Sequence, residues 1–181
     1  CYYVAHAGLQ DSLDLYGVPR ERSIVTGIPI DSRFSAASGL KTSGENGDPA
    51  ILIMGGGAGM LPMADIIATC LRQGDRTRVI AVTGHNHRLR RQLMLRYGGS
   101  DMISILGYVD NIYDIMAQAD IIITKPGGMT SSEALCVGLP MIMYCPIPGQ
   151  EEGNADYLTA AGVAARADYP ASLAEILGQW L

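Results

Sequence analysis

Ile121-Ile122-Ile123-Thr124-Lys125-Pro126-Gly127-Gly128-Met129-Thr130-Ser131-Ser132-Glu133 is the stretch that decides how the rest of the chain reads. The three consecutive β-branched residues fit a strand that is apolar on both faces, as in a parallel sheet covered by helices on each side. Pro-Gly-Gly then breaks the strand, and a helical spacing of apolar residues starts near Thr130. Strand, glycine turn and helix in that order make one unit of a doubly wound α/β fold.

The unit repeats in both directions. Strands are predicted at Ile51–Met54, Arg78–Thr83, Ile103–Leu106, Ile121–Thr124, Met141–Tyr144 and Val163–Arg166. Helices are predicted at Leu61–Arg72, His87–Tyr97, Ile112–Gln118, Thr130–Val137, Asn154–Ala161 and Ser172–Leu181. Polar, turn-rich Ser35–Pro49 reads as a surface loop. At the front, Cys1–Ala5 reads as a strand entering a helix-like Leu9–Tyr16. The expectation is a chain that begins mid-protein, with residues 1–23 the end of a preceding domain and its linker, and 24–181 a single domain.

The 181 residues, 48% hydrophobic and 17% charged, suffice for one substantial core. A net charge of -5 and a pI near 5.1 argue against a nucleic-acid partner, because phosphate neutralisation needs a basic surface. Cys1, Cys70, Cys136 and Cys145 form no CxxC pair and no zinc-ligand spacing, so they read as buried thiols in a reducing compartment. No apolar run approaches the ~20 residues that span a bilayer.

Three loops follow predicted strands and carry candidate chemistry. Met54-Gly55-Gly56-Gly57-Ala58-Gly59-Met60 has glycines that let backbone N–H groups approach an anion, although tight turn geometry alone also explains them. It lacks the Gly-Lys-Ser/Thr of a P-loop, Met60 replaces the last glycine of G-x-G-x-x-G, and the next strand ends Val82-Thr83-Gly84 without a ribose-binding acid. In Lys125-Pro126-Gly127-Gly128, free N–H groups at the sheet's carboxyl edge suit a diphosphate. Glu133, three residues after Thr130, suits a ribose diol, a contact worth about 1.5–3 kcal/mol. Thr130-x-x-Glu133 also has the spacing of a capping box, in which both side chains serve only the helix terminus. In the third loop, Pro148-Gly149-Gln150-Glu151, the side chains of Gln150 and Glu151 suit sugar hydroxyls, but acids there also favour a helix N-terminus. His85 and His87 lack a third metal ligand nearby in sequence and read as solvated; Arg88, Arg90, Arg91 and Arg96 give one helix a basic surface, usually a solvated face and less often a contact for anionic lipid.

Taken in order, Val25-Thr26-Gly27-Ile28-Pro29-Ile30, Gly55–Gly59, Gly107-Tyr108-Val109, Ile123–Thr130, Glu133-Ala134 and Pro148–Glu151 with Asn154 resemble the diacylglycerol glycosyltransferases. The likeness is to the bacterial processive diacylglycerol glucosyltransferases and plant-type monogalactosyldiacylglycerol synthases, and more distantly to the peptidoglycan N-acetylglucosaminyltransferase. It implies the C-terminal, Rossmann-like half of a GT-B enzyme that inverts the anomeric centre of a UDP-sugar without a metal or other cofactor. The lipid acceptor and the general base would come from the other half, on the cytoplasmic side of a membrane. Carried over by motif, Gly55, Gly56, Gly57, Gly127, Gly128, Met129 and Thr130 would face the diphosphate, backbone around Tyr108 would meet uracil, Glu133 would hold the ribose, and Gln150 and Glu151 would read the sugar. Thr83, Gly84, Lys125, Pro126 and Asn154 would complete the donor site. Asp31 stands where the distant relatives carry an arginine after their Gly-Asn-Pro-Val segment, which leaves Arg33 as a substitute. A nucleotide-sugar 2-epimerase half and a non-catalytic UDP-sugar-binding module share the same layout.

Overall fold

A computed structural model describes residues 1–39, 47–57, 59–74 and 76–181. The chain divides into two compact units, Cys1–Asp31 and Ser32–Leu181. In the first, strands β1 (Tyr2–Val4) and β2 (Ser23–Val25) pair in parallel, joined through helix α1 (Ala7–Leu15) and a 3-10 turn at Arg20–Arg22. The sequence-based division at residue 23 therefore falls inside β2.

The second unit is a six-stranded parallel sheet built from β3 (Ala50–Met54), β4 (Arg78–Val82), β5 (Ile103–Leu106), β6 (Ile121–Thr124), β7 (Met141–Tyr144) and β8 (Ala164–Ala167). Its strand order is β5-β4-β3-β6-β7-β8. Counted from β3 this is 3-2-1-4-5-6, the order of the Rossmann fold. The chain winds outward from β3 to one edge, returns, and winds from β6 to the other. Between β3 and β6 the winding direction reverses, with Met54 opposite Thr124 at their carboxyl ends.

Side-chain alternation explains the two covering layers. Ile51, Ile53, Val79, Ala81, Ile121 and Ile123 cluster with Met63, Ile66 and Ile67 of α3 (Met63–Cys70), Leu93 of α4 (His87–Tyr97) and Leu173 and Leu177 of α8 (Pro170–Trp180). The intervening Leu52, Ile122, Met141 and Met143 are equally buried. They belong to the opposite face, where α2 (Ser32–Ala37), α5 (Ile112–Ala117) and α6 (Gly128–Val137) pack together. All four residues of β6 are buried, as its β-branched run predicts.

Several expectations need correction. Part of the predicted loop, Ser35–Ala37, is the end of α2, where Phe34 and Ala37 are buried; residues 40–46 of that loop lie outside the described residues. The helix predicted from Leu61 starts at Met63, behind Pro62. α7 (Gln150–Ala160) starts four residues earlier than predicted, because Gly149, at φ 104° and ψ -124°, makes the sharp entry that only glycine takes readily. Of the four cysteines only Cys70 is buried, which pushes its thiol up to about 12; Cys1 is exposed and Cys136 and Cys145 are half-buried.

Candidate functional site

In open α/β sheets a ligand crevice forms where the winding direction reverses, outside the carboxyl ends of the two strands concerned. Here those strands are β3 and β6, so the loops there are the Gly55–Gly57 and Lys125–Gly128 segments.

The geometry around the first loop separates glycines by function. Gly56 takes φ +70°, with Gly59 N–H donating to its carbonyl at 3.0 Å and Met60 N–H to that of Gly55 at 3.0 Å. A Cβ on Gly55 would meet Met60 N at 2.7 Å, one on Gly59 would meet the Thr83 carbonyl at 2.6 Å, and one on Gly84 would strike the Gly57 carbonyl. Tight packing therefore accounts for Gly55, Gly59 and Gly84, and the left-handed backbone for Gly56. Gly57 differs: its φ is ordinary and nothing lies within 4 Å of where a Cβ would stand. His85 N–H donates to the Gly57 carbonyl at 3.0 Å, tying the loop after β4 to this turn. Because α3 starts only at Met63, the glycine turn does not open straight into a helix N-terminus, contrary to the sequence reading.

The second loop does open straight into a helix. Pro126 disfavours a helical Lys125. Gly127 stays extended as the N-cap (φ -73°, ψ 138°), and α6 begins at Gly128 with no side-chain cap. The first intrahelical bond runs from Ser131 N–H to the Gly127 carbonyl at 3.0 Å. The N–H groups of Gly128, Met129 and Thr130 precede it and are the open donors of the helix end, where the dipole favours an anion. Gly127, like Gly57, has nothing within 4 Å of a would-be Cβ. Gly138 closes the helix in the left-handed conformation (φ 77°).

This start disposes of the capping box. With the N-cap at Gly127, Thr130 is the third helical residue and Glu133 the sixth, too far in to serve the terminus. Glu133 makes no hydrogen bond or ion pair with any described residue, and its half-burial raises the carboxyl above the ordinary glutamate range. Ser131 has a buried hydroxyl without a partner among the described residues, and nothing in residue spacing signals it.

In the third loop Glu151 is already engaged. Its Oε2 accepts from Ile147 N–H at 2.9 Å and faces Lys125 Nζ at 3.4 Å. Asn154 Nδ2 donates to the Pro126 carbonyl at 2.8 Å. These two residues brace α7 against the Lys125–Gly128 segment, leaving Glu151 Oε1 without a described partner and Gln150 exposed in the first turn. Cys145, at the end of β7, sits at φ 47° and donates its Sγ–H to the Asp168 carbonyl at 2.9 Å.

At the β4 and β5 ends, Thr83 is buried and spends its hydroxyl on the Leu106 carbonyl at 2.9 Å. Exposed Tyr108 stacks on His85, with ring centroids 4.5 Å apart and planes inclined by 12°. His85 is thus solvated, as expected, yet held. Asn86 caps α4 by accepting from Leu89 N–H at 3.0 Å, a signal available from an Asn one residue before a helical run.

Fold and crevice together define a doubly wound α/β domain with two strand-end glycine loops at its reversal point. The chain belongs to the glycosyltransferase family 28 C-terminal domains, whose sequence profile matches residues 50–179. It is 34% identical over 180 residues to the processive diacylglycerol beta-glucosyltransferase of Staphylococcus saprophyticus, covering 96% of this chain and 46% of that protein. Among solved structures, WaaG, a glycosyltransferase involved in lipopolysaccharide biosynthesis, superposes with a TM-score of 0.62 at 17% identity, over 98% of this chain and 52% of that one. A UDP-N-acetylglucosamine 2-epimerase superposes with a TM-score of 0.67 at 17% identity, over 98% of this chain and 47% of that one. The fold is therefore shared by transferases and epimerases, and the chain spans about half the length of the curated relatives it matches.

Proposed function

We propose that the Ser32–Leu181 unit is the donor-binding half of an inverting hexosyltransferase that moves sugar from a UDP-sugar to a diacylglycerol-type lipid. The observation that carries this reading is Glu133: a half-buried carboxyl without a partner among the described residues, one and a half turns inside an uncapped helix at the sheet's reversal point. Burying a charge unpaired is unfavourable, and a ribose diol would supply the missing donors. The open N–H groups of Gly128, Met129 and Thr130 would take the diphosphate, with room left by the absent side chains of Gly57 and Gly127. As UDP leaves, its growing negative charge would meet these fixed donors and the helix dipole, which need no reorganisation and stand in for a divalent cation. The Tyr108 and His85 rings would border the base, and Gln150 with Glu151 Oε1 would meet the sugar.

Support for a separate acceptor half comes from the first unit by itself. Parallel strand pairs belong in sheets covered on both faces, yet α1 buries no residue, and Tyr3, Leu15 and Tyr16 are 71%, 89% and 87% exposed. We assign Cys1–Asp31 to the end of an acceptor domain and its linker; the general base would lie in that domain.

Calorimetric titration of the 181-residue chain with UDP tests the donor assignment: a saturable heat is expected, and none at millimolar nucleotide contradicts it. In the longer protein, release of UDP only when a diacylglycerol acceptor is added separates transfer from epimerisation.

A further inference from the structure

Helix α4 presents a face that the sheet does not use. Leu93 is its one buried residue, with Leu89 and Tyr97 packed partly against the core. At 3.6 residues per turn, Arg91 and Leu95 fall opposite Leu93, and Arg88 beside them. Leu95 is 84% exposed and neighbouring Met94 46%. No described carboxylate forms an ion pair with Arg88 or Arg91. The two other arginines of the helix are turned aside: Arg90 lies along Gly107, its Cδ 3.6 Å from that residue's would-be Cβ, and Arg96 lies 5.2 Å over the Tyr97 ring.

The charge is local. α4 carries four arginines, Arg88, Arg90, Arg91 and Arg96, and no acid, in a chain whose net charge is -5. Cations concentrated on one helix of an acidic protein attract an anionic surface. The exposed Leu95 and Met94 between them favour a bilayer, because a nucleic acid takes up an apolar side chain only by unstacking its bases, whereas a bilayer interface takes up charge and apolar side chain together. We propose that Arg88, Arg91 and Leu95 form a contact surface for an anionic lipid bilayer. The guanidinium groups sit among the headgroup phosphates while Leu95, with Met94 beside it, enters the acyl boundary. α4 starts directly after the loop whose His85 N–H holds the Gly57 turn, so such contact brings a membrane next to the candidate site.

The test is co-sedimentation of the 181-residue chain with vesicles of equal phosphatidylglycerol and phosphatidylcholine, against phosphatidylcholine alone, at low and moderate salt. The proposal expects binding to the anionic vesicles only, weakened by salt, and reduced roughly fivefold per arginine in R88A, R91A and their combination. Leu95→Asn should also weaken it, with the melting temperature unchanged in every variant because the replaced side chains face outward. Equal binding to neutral vesicles, no binding at low salt, or a double variant that sediments like the parent overturns it; capture of an acidic protein but not of vesicles does so too. Titrating UDP into the same variants keeps the two readings apart, since their donor affinity should equal the parent's whatever the vesicles show.

Discussion

At Glu133 stability and binding pull against each other. Its carboxyl holds its proton to higher pH in the folded chain than unfolded, so the native state binds more protons in that window and stability falls as pH rises through it. Glu133→Gln should therefore raise the melting temperature at pH 7–8. The gain should vanish near pH 4 and below, where the parent carboxyl is protonated in both states; thermal melts across pH 4–8 read the difference. UDP affinity of the parent should weaken as the carboxyl protonates on acidification. The glycines give a second residue-scale prediction. Gly57→Ala introduces a methyl into open space at ordinary φ, so melting should stay within about 1 °C while UDP affinity drops, on the order of tenfold; Gly127→Ala should lower the affinity likewise, and also the melting temperature by a few degrees, because alanine is a poorer N-cap than glycine. Gly84→Ala, which meets the Gly57 carbonyl at φ +58°, should instead lower the melting temperature by several degrees.

At the scale of elements, Asn154 and Glu151 hold α7 to the loop after β6. Asn154→Ala removes the 2.8 Å bond to the Pro126 carbonyl and should cost about 1–2 kcal/mol. That is roughly 3–6 °C in a domain of this size. Hydrogen exchange should rise at the bonded amides of Gly127 and Ser131 and not at β4 or β5. The same elements show what sequence could deliver. β5, β6, β7 and α4 match their predicted bounds because each is a strongly patterned run closed by clear breakers. The starts of α6 and α7 were misplaced because Gly128 and Gln150 carry no apolar period, and only backbone geometry at Gly127 and Gly149 reveals where the helices begin. α2 was missed because six residues carry too little periodicity. The candidate loops were legible as motifs. That Glu151 Oε2 and Asn154 are spent on bracing, that Glu133 is partnerless and that Gly57 stands in open space depend on long-range packing, which spacing does not encode.

At the scale of the molecule, the strand order puts both glycine loops at one reversal point, a placement that follows from topology rather than from any single motif. No helix among the described residues is long and apolar enough to cross a membrane. A ligand that binds only the folded unit stabilises it by mass action. At UDP a hundredfold above its dissociation constant the expected gain is about 2.7 kcal/mol, or roughly 5–11 °C. The most direct measurement of the central claim is UDP affinity of the parent and Glu133→Ala chains, measured side by side with their melting temperatures at pH 7.5. The ribose assignment predicts an affinity lower by roughly 10- to 150-fold in the variant, corresponding to the loss of about 1.5–3 kcal/mol, with a melting temperature equal to the parent's or higher. Equal affinity in the two chains would contradict it.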